Sequence, residues 1–240
     1  MEMQTGVQFG TTRWTILEAL QQGSPDQARD ATESLISTYW PAVYGYLRRS
    51  GHRRELAAEI TQAFFVDVVL GRKLFEVADP AAGRLRSLLL TALKNYRIDL
   101  ARHEKIERRV GGEFSAVMDI VEARRPQDET LSPDAVYERE WALSLLQEAV
   151  QRCEDHFIAT DRESHWRLFE ARYLKPHVRP QAAPSLETAA SEFGFESATA
   201  AASAMQVVRQ RLKAVLSDVV AMTEGEQTEQ GVRQIFDVLG

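Results

Sequence analysis

The chain has 240 residues and a formal net charge of −6, with 44% hydrophobic and 27% charged residues. At about 150 residues per domain, this length predicts one large or two small domains. The composition is typical of a globular protein and excludes a disordered, collagen-like or membrane-embedded chain. No apolar stretch approaches the roughly 18 residues of a membrane-spanning helix, so we expect no membrane insertion. The first residues lack the pattern of a secretory signal, and we expect a cytoplasmic location.

The sequence shows no motif typical of an enzyme. It has no glycine-rich phosphate loop, no Gly-x-Ser-x-Gly turn and no His-Glu-x-x-His zinc helix, so we expect no catalytic site and no cofactor. The single cysteine, Cys153, cannot form an internal disulfide and is expected to be a small core residue. A metal-dependent enzyme stays open as an alternative, because one short segment holds carboxylates and imidazoles that could converge on an ion. These residues are Asp155, His156, Asp161 and His165.

Charge is distributed unevenly along the chain. Residues 1–110 carry 16 Lys and Arg against 13 Asp and Glu, although the whole chain is acidic. Within residues 84–109, eight basic residues face three acidic ones. The net negative charge argues against a protein that coats nucleic acid by charge alone. Residues 84–109 are nevertheless a basic segment on an acidic protein.

Apolar residues recur at three- and four-residue steps, and period-two alternation is nearly absent, which predicts an all-α fold. A first helix begins at Ser24-Pro25 and is broken or kinked at Tyr39-Trp40-Pro41, and the following piece ends at Gly51. A second helix is predicted from about Arg53 to Leu70, with Gly71 as its stop.

The basic segment predicts a long amphipathic helix that begins after a turn at Asp79–Gly83. Its apolar positions repeat with helical spacing, and the basic residues fall largely between them, which predicts a basic outer face. The apolar positions are Leu85, Leu88, Leu89, Ala92, Leu93, Tyr96 and Leu100.

The second half of the chain also predicts helices. Ser132-Pro133 begins one helix, another covers about Arg162 to Leu174, and three prolines mark residues 175–184 as a connector. A short helix capped by Ser185, a turn at Phe193-Gly194-Phe195 and a longer helix then give the outline of a helix-turn-helix, although any two packed helices have this spacing. We therefore predict four parts: a helical domain over 1–110, a linker over 111–131, a helix-turn-helix domain over 132–222 and a tail helix over 223–240.

Several separated segments carry a resemblance to a known family. They are Thr12-Arg13-Trp14-Thr15, Tyr39 to Arg49, Ala57 to Phe65, Asp79 to Tyr96, Phe169 to Leu174 and Ser185 to Leu216. In this order they resemble bacterial RNA polymerase sigma factors of the extracytoplasmic-function (ECF) group, sigma-70 family. The resemblance implies a region 2-like and a region 4-like helical domain joined by a flexible linker.

The resemblance also implies a function and the residues that carry it. The chain would bind core RNA polymerase and direct promoter recognition, DNA melting and transcription initiation. Ala57 to Phe65 is similar to the helix that contacts the clamp helices of the beta-prime subunit, which implies polymerase binding by Glu59, Gln62 and Phe65. Many members of the family are held by an anti-sigma factor, which adds a candidate partner.

Two sets of DNA contacts follow from the same resemblance. The helix similar to the one that reads and melts the minus-ten element contributes Arg84, Arg86, Lys94, Asn95 and Arg97. The helix-turn-helix similar to the one that reads the minus-thirty-five element contributes Thr199, Ser203, Gln206, Arg209 and Arg211.

An alternative function keeps the fold and omits promoter recognition. Recognition helices of the family usually carry Arg, Lys, Ser or His, whereas residues 199–206 of this chain are rich in alanine. An alanine-rich face can touch thymine methyl groups but offers few contacts to phosphate or guanine. The alternative is a sigma-like interaction protein that binds polymerase or another regulator without reading a promoter sequence.

Overall fold

The computed structural model describes residues 22–71, 85–102, 131–175 and 183–224, together with residues 19, 74, 232 and 233. These ranges contain seven α-helices and no strand, so the predicted all-α fold is confirmed. The chain divides into two compact units, Met1–Ser144 with Val220–Gly240, and Leu145–Val219. No helix in the described ranges is long and apolar enough to cross a membrane. The predicted linker and tail helix lie almost entirely outside the described residues.

Helix α1, Pro25–Arg49, runs through Pro41 without ending there. Its start is fixed by a reciprocal cap, in which the Gln27 N–H donates to Ser24 Oγ at 3.3 Å and the Ser24 N–H donates to Gln27 Oε1 at 2.9 Å. A proline inside a helix removes one backbone hydrogen bond and costs about 3 kcal/mol. Every residue from Thr38 to Leu47 is buried, and this packing offsets the cost. Of the break or kink predicted at Tyr39-Trp40-Pro41, the break therefore does not occur.

Helix α2, Arg54–Phe64, continues directly as a π-helical segment, Phe65–Leu70, and Gly71 follows. Together these elements match the helix predicted between Arg53 and Leu70. The turn between α1 and α2 contains Gly51 at a φ of 95°, a left-handed conformation that glycine adopts without strain.

Helix α3, Leu85–Arg102, and the first part of α4, Pro133–Ala159, also belong to the first unit. The division between the units falls inside α4, so residues 133–144 count with the first unit, although the sequence groups them with the helix-turn-helix domain. The largest fully buried side chains of this unit are Leu35, Tyr39, Tyr44, Leu47, Phe64, Leu85, Leu89, Leu93, Tyr137 and Trp141.

The second unit contains the rest of α4, two short helices and most of a long helix whose residues from Val220 onward count with the first unit. These are α5, Glu163–Phe169, which continues as a π-helical segment, Glu170–Leu174, then α6, Leu186–Glu192, and α7, Ala198–Glu224. One apolar cluster joins α4, α5 and α7 through Cys153, Phe157, Trp166, Phe169 and Val208. A second joins α5, α6 and α7 through Leu168, Ala189, Ala190, Ala201, Ala204 and Met205. These clusters set the position of α7 against the shorter helices.

Candidate nucleic-acid interface

The outer face of α2 carries two of the three residues expected to bind polymerase. Glu59 and Gln62 are three residues apart on the helix, which places them on one face, and both are half-buried. Val66 and Leu70 follow at four-residue steps and are 52% and 48% exposed. We name Glu59, Gln62, Val66 and Leu70 the α2 surface. Sequence analysis missed the two aliphatic residues, although their spacing from Gln62 was a signal.

Phe65, the third expected polymerase contact, lies in the core. It is 2% exposed, and its ring stacks on Trp40 of α1 with centroids 5.7 Å apart. Phe64 meets it edge to face at 5.6 Å. A ring enclosed in this way cannot contact a partner protein, which corrects the assignment of Phe65 to a binding surface. Its role is to fix α2 against α1.

Arg86 does not belong to an outer face of α3. The residue is 2% exposed, and its Nη1 lies 3.2 Å from Glu138 Oε2 on α4. Its Cζ lies 4.2 Å from the ring centroid of Trp141, and Tyr137 donates a hydrogen bond to its backbone oxygen at 3.1 Å. Because its guanidinium packs on α4 and the residue is almost fully buried, Arg86 is a core residue, and the expectation that it contacts DNA is corrected.

Two of the other basic residues predicted to contact DNA, Lys94 and Arg97, are also engaged. Lys94 Nζ lies 2.6 Å from Asp134 Oδ2, with both side chains partly exposed. Arg97 donates to Tyr46 Oη at 3.0 Å, and its Cζ lies 5.3 Å from that ring's centroid. Arg84 lies outside the described residues.

The most exposed positions of α3 carry no charge. Ser87, Thr91 and Asn95 are exposed at four-residue spacing, and Ile98, three residues further on, is 51% exposed. Thr91 donates to the Ser87 backbone oxygen at 2.8 Å. In the described part of α3, the exposed positions therefore carry hydroxyl and amide groups and one aliphatic side chain, where a basic face was predicted. Asn95 is the predicted DNA contact that lies on this face.

Helices α6 and α7 have the predicted helix-turn-helix outline. Between them, Gly194 adopts a φ of 78°, which a residue with a side chain reaches only with strain. Each helix begins with a serine cap: Ser185 Oγ accepts the Thr188 N–H at 3.1 Å, and Ser197 Oγ accepts the Ala200 N–H at 3.1 Å. The caps and the glycine fix where each helix starts and the chain turns.

All five residues of α7 that were expected to contact DNA are exposed. They are Thr199, Ser203, Gln206, Arg209 and Arg211. Arg209 lies over the ring of Tyr173, with its Cζ 4.3 Å from the centroid. Sequence analysis missed Val207, which is 40% exposed, and Gln210, which is also exposed. The buried residues of α7 lie on the opposite face, so this side of the helix is exposed to solvent.

The alternative metal site is not formed. Within the described residues there is no group of three or more His, Cys, Asp and Glu that could hold an ion, and the four candidate ligands all fall in this part of the chain. Cys153 is buried, and burial raises the pKa of its thiol to about 11, which keeps it protonated. The prediction that Cys153 is a core residue is confirmed.

Comparison of the chain with protein-family models, with curated proteins and with solved structures finds no match. The chain offers three surfaces to a partner: the α2 surface, the exposed face of α3 and the exposed face of α7.

Proposed function

We propose that the chain is a dissociable initiation subunit that binds bacterial core RNA polymerase and directs it to promoters. In this proposal the α2 surface contacts the beta-prime clamp helices. The segment that ends in α3 acts on the minus-ten element, and α7 reads the minus-thirty-five element. The protein would work in the cytoplasm, without a catalytic site of its own, and an anti-sigma factor is a further candidate partner.

The helix-turn-helix outline of the second unit is the observation that carries the proposal. The second helix of this outline is α7. All five of its residues that the resemblance assigns to DNA contact are exposed, while Ala201, Ala204 and Met205 are buried on the other side. An exposed helix that follows a short helix and a tight turn is the element that enters the major groove in proteins of this type.

The α2 surface supports the polymerase part of the proposal. It combines a carboxylate and an amide with two exposed aliphatic side chains, Val66 and Leu70. Protein interfaces have an apolar centre bordered by polar groups. This surface offers the polar groups on α2 and the apolar groups on the π-helical segment that continues it.

One observation favours the alternative, an interaction protein that does not read a promoter. On α3, Arg86 is buried, and Lys94 and Arg97 have partners within the first unit. Because phosphate contacts supply much of the affinity of a protein for DNA, engaged cations weaken the case for DNA binding by this helix.

Co-elution with bacterial core RNA polymerase in size-exclusion chromatography tests the proposal. We expect the wild-type chain to co-elute and the Glu59→Ala/Gln62→Ala variant to do so less. The matched control is Glu33→Ala/Gln147→Ala, which removes the same two residue types at exposed positions of α1 and α4. If the wild-type chain fails to co-elute, the polymerase proposal is wrong.

Chromatin immunoprecipitation of the chain separates the two functions. Discrete promoter peaks with a shared upstream motif would support the initiation subunit. Association with polymerase without such a motif would support the interaction protein instead.

A further inference from the structure

The exposed side of α7 has a central stripe of uncharged polar residues. They are Thr199, Ser203, Gln206 and Gln210. At about 100° of rotation per residue, these four positions fall within a sector of about 60°. A ligand that meets this side of α7 therefore meets two hydroxyl groups and two carboxamides in a line.

An arginine lies on each side of this stripe. Arg209 and Arg211 are the sequence neighbours of Gln210, so each is turned about 100° away from it, in opposite directions. Arg209 packs on the ring of Tyr173, which holds its stem to one side of the stripe. Cations at the two edges and uncharged groups between them match a DNA groove, in which phosphates border the base edges.

The groups on and beside the stripe favour one class of base pair. A carboxamide can pair with adenine through its N6 and N7 atoms, and the methyl groups of Thr, Ala and Val contact the thymine methyl. Val207 and Ala202 adjoin the stripe and supply such groups. Guanine is read best by Arg or Lys and cytosine by Asp or Glu, and residues 199–208 contain none of these four types.

We infer that α7 reads a core of A·T base pairs in the major groove, with Gln206 as the residue that pairs with adenine. The inference rests on the proposed DNA-binding function and names its ligand class. From Thr199 to Gln206 the helix rises about 10 Å, the length of about three base pairs. The core is therefore short, and Arg209 and Arg211 bind the flanking phosphates.

Selection from a randomised duplex library tests this inference. The full chain, alone and with core polymerase, is incubated with the library at low salt, and the bound duplexes are sequenced. We expect an enriched A·T core. For the enriched duplex, Gln206→Ala should weaken binding by about tenfold in fluorescence anisotropy, and the matched control Gln147→Ala should not change it. Gln206→Arg should shift the preference at one position from adenine to guanine.

The outcomes separate the inference from the proposed function. A selected core of G·C pairs, or an A·T core that Gln206→Ala and Gln206→Arg leave unchanged, overturns the reading role of Gln206 but keeps duplex recognition. If no duplex sequence is enriched, either with the free chain or with core polymerase, both the inference and the proposed promoter recognition are wrong. Co-elution with polymerase is measured separately, so its failure does not affect the result with the free chain.

Discussion

The guanidinium carbon of Arg86 on α3 lies 4.2 Å from the ring centroid of Trp141 on α4. The same guanidinium lies 3.2 Å from a carboxylate oxygen of Glu138. A cation over an aromatic face is stabilised by the ring's quadrupole, and a buried cation also needs an anionic partner. Arg86 has both on α4, so this residue joins two helices that are more than thirty positions apart in the chain.

We predict that Arg86→Ala destabilises the protein. The variant loses the ion pair with the partly exposed Glu138 and also the packing of the buried guanidinium on Trp141. We expect the free energy of unfolding in urea to fall by about 2–4 kcal/mol. The matched control is Arg209→Ala, which removes an exposed arginine from the ring of Tyr173 and should cost about 1 kcal/mol or less. Equal stability of Arg86→Ala and wild type would contradict the core role.

This prediction changes how promoter-opening experiments are read. A loss of open complexes in Arg86→Ala would reflect a destabilised first unit rather than a missing phosphate contact. Asn95→Ala is a better test of DNA contact by α3 than Arg86→Ala. Asn95 is exposed on the outer face of the helix, and its amide can form hydrogen bonds with a ligand.

The sequence predicts the helices well because their signals are local. Ser24-Pro25, Gly51, Ser185 and Gly194 act on the backbone within a few residues, and each marks an observed helix start or turn. The surface positions predicted for Arg86 and Phe65 are wrong for one reason: the burial of each residue depends on distant parts of the chain. Arg86 is buried by residues about fifty positions away, and Phe65 is covered by Trp40. Neither partner can be read from helical spacing alone.

Gly45 gives a second stability prediction, on the contact between α1 and α4. A Cβ at this position would lie 3.1 Å from Glu140 Cγ and 3.2 Å from Val136 Cγ1, which is closer than ordinary contact. We expect Gly45→Val to lower the free energy of unfolding by about 1–3 kcal/mol through overpacking. Gly45→Ala should cost less, because alanine favours the helix by about 0.5–1 kcal/mol relative to glycine. Thermal and urea unfolding of the two variants measure the difference, and a stabilised Gly45→Val would show that the helices can move apart.

Substitutions at Phe65 and Leu70 should have different effects: the first should lower the stability of the fold, and the second should weaken partner binding. Phe65→Ala removes a buried ring and should cost about 3–5 kcal/mol of stability. Leu70→Ser changes a side chain that is 48% exposed, and we expect its free energy of unfolding to stay within about 0.5 kcal/mol of wild type. Co-elution of Leu70→Ser with core polymerase should nevertheless decrease. Unchanged co-elution would remove the aliphatic part of the α2 surface from the proposed interface.

The lowered pKa values of two histidines, His52 and His165, predict that the stability of the fold depends on pH. Burial, and then the charge of Arg97, lower the pKa of His52, and burial and Arg162 lower the pKa of His165. As the pH falls through about 6.5, the unfolded chain binds protons that these folded histidines do not, so the free energy of unfolding decreases. The decrease levels off below the folded pKa values.

The free energy of unfolding in urea, measured at about pH 7.5 and at about pH 5.5, gives the size of this decrease. Both pH values lie above the range in which ordinary carboxylates titrate. We expect wild type to lose stability between the two conditions and His52→Gln/His165→Gln to lose less, since glutamine does not titrate. The pKa of His156 is also lowered, first by burial, so part of the dependence should persist in the double variant. The same loss in wild type and double variant would show that His52 and His165 titrate alike in the folded and unfolded chain.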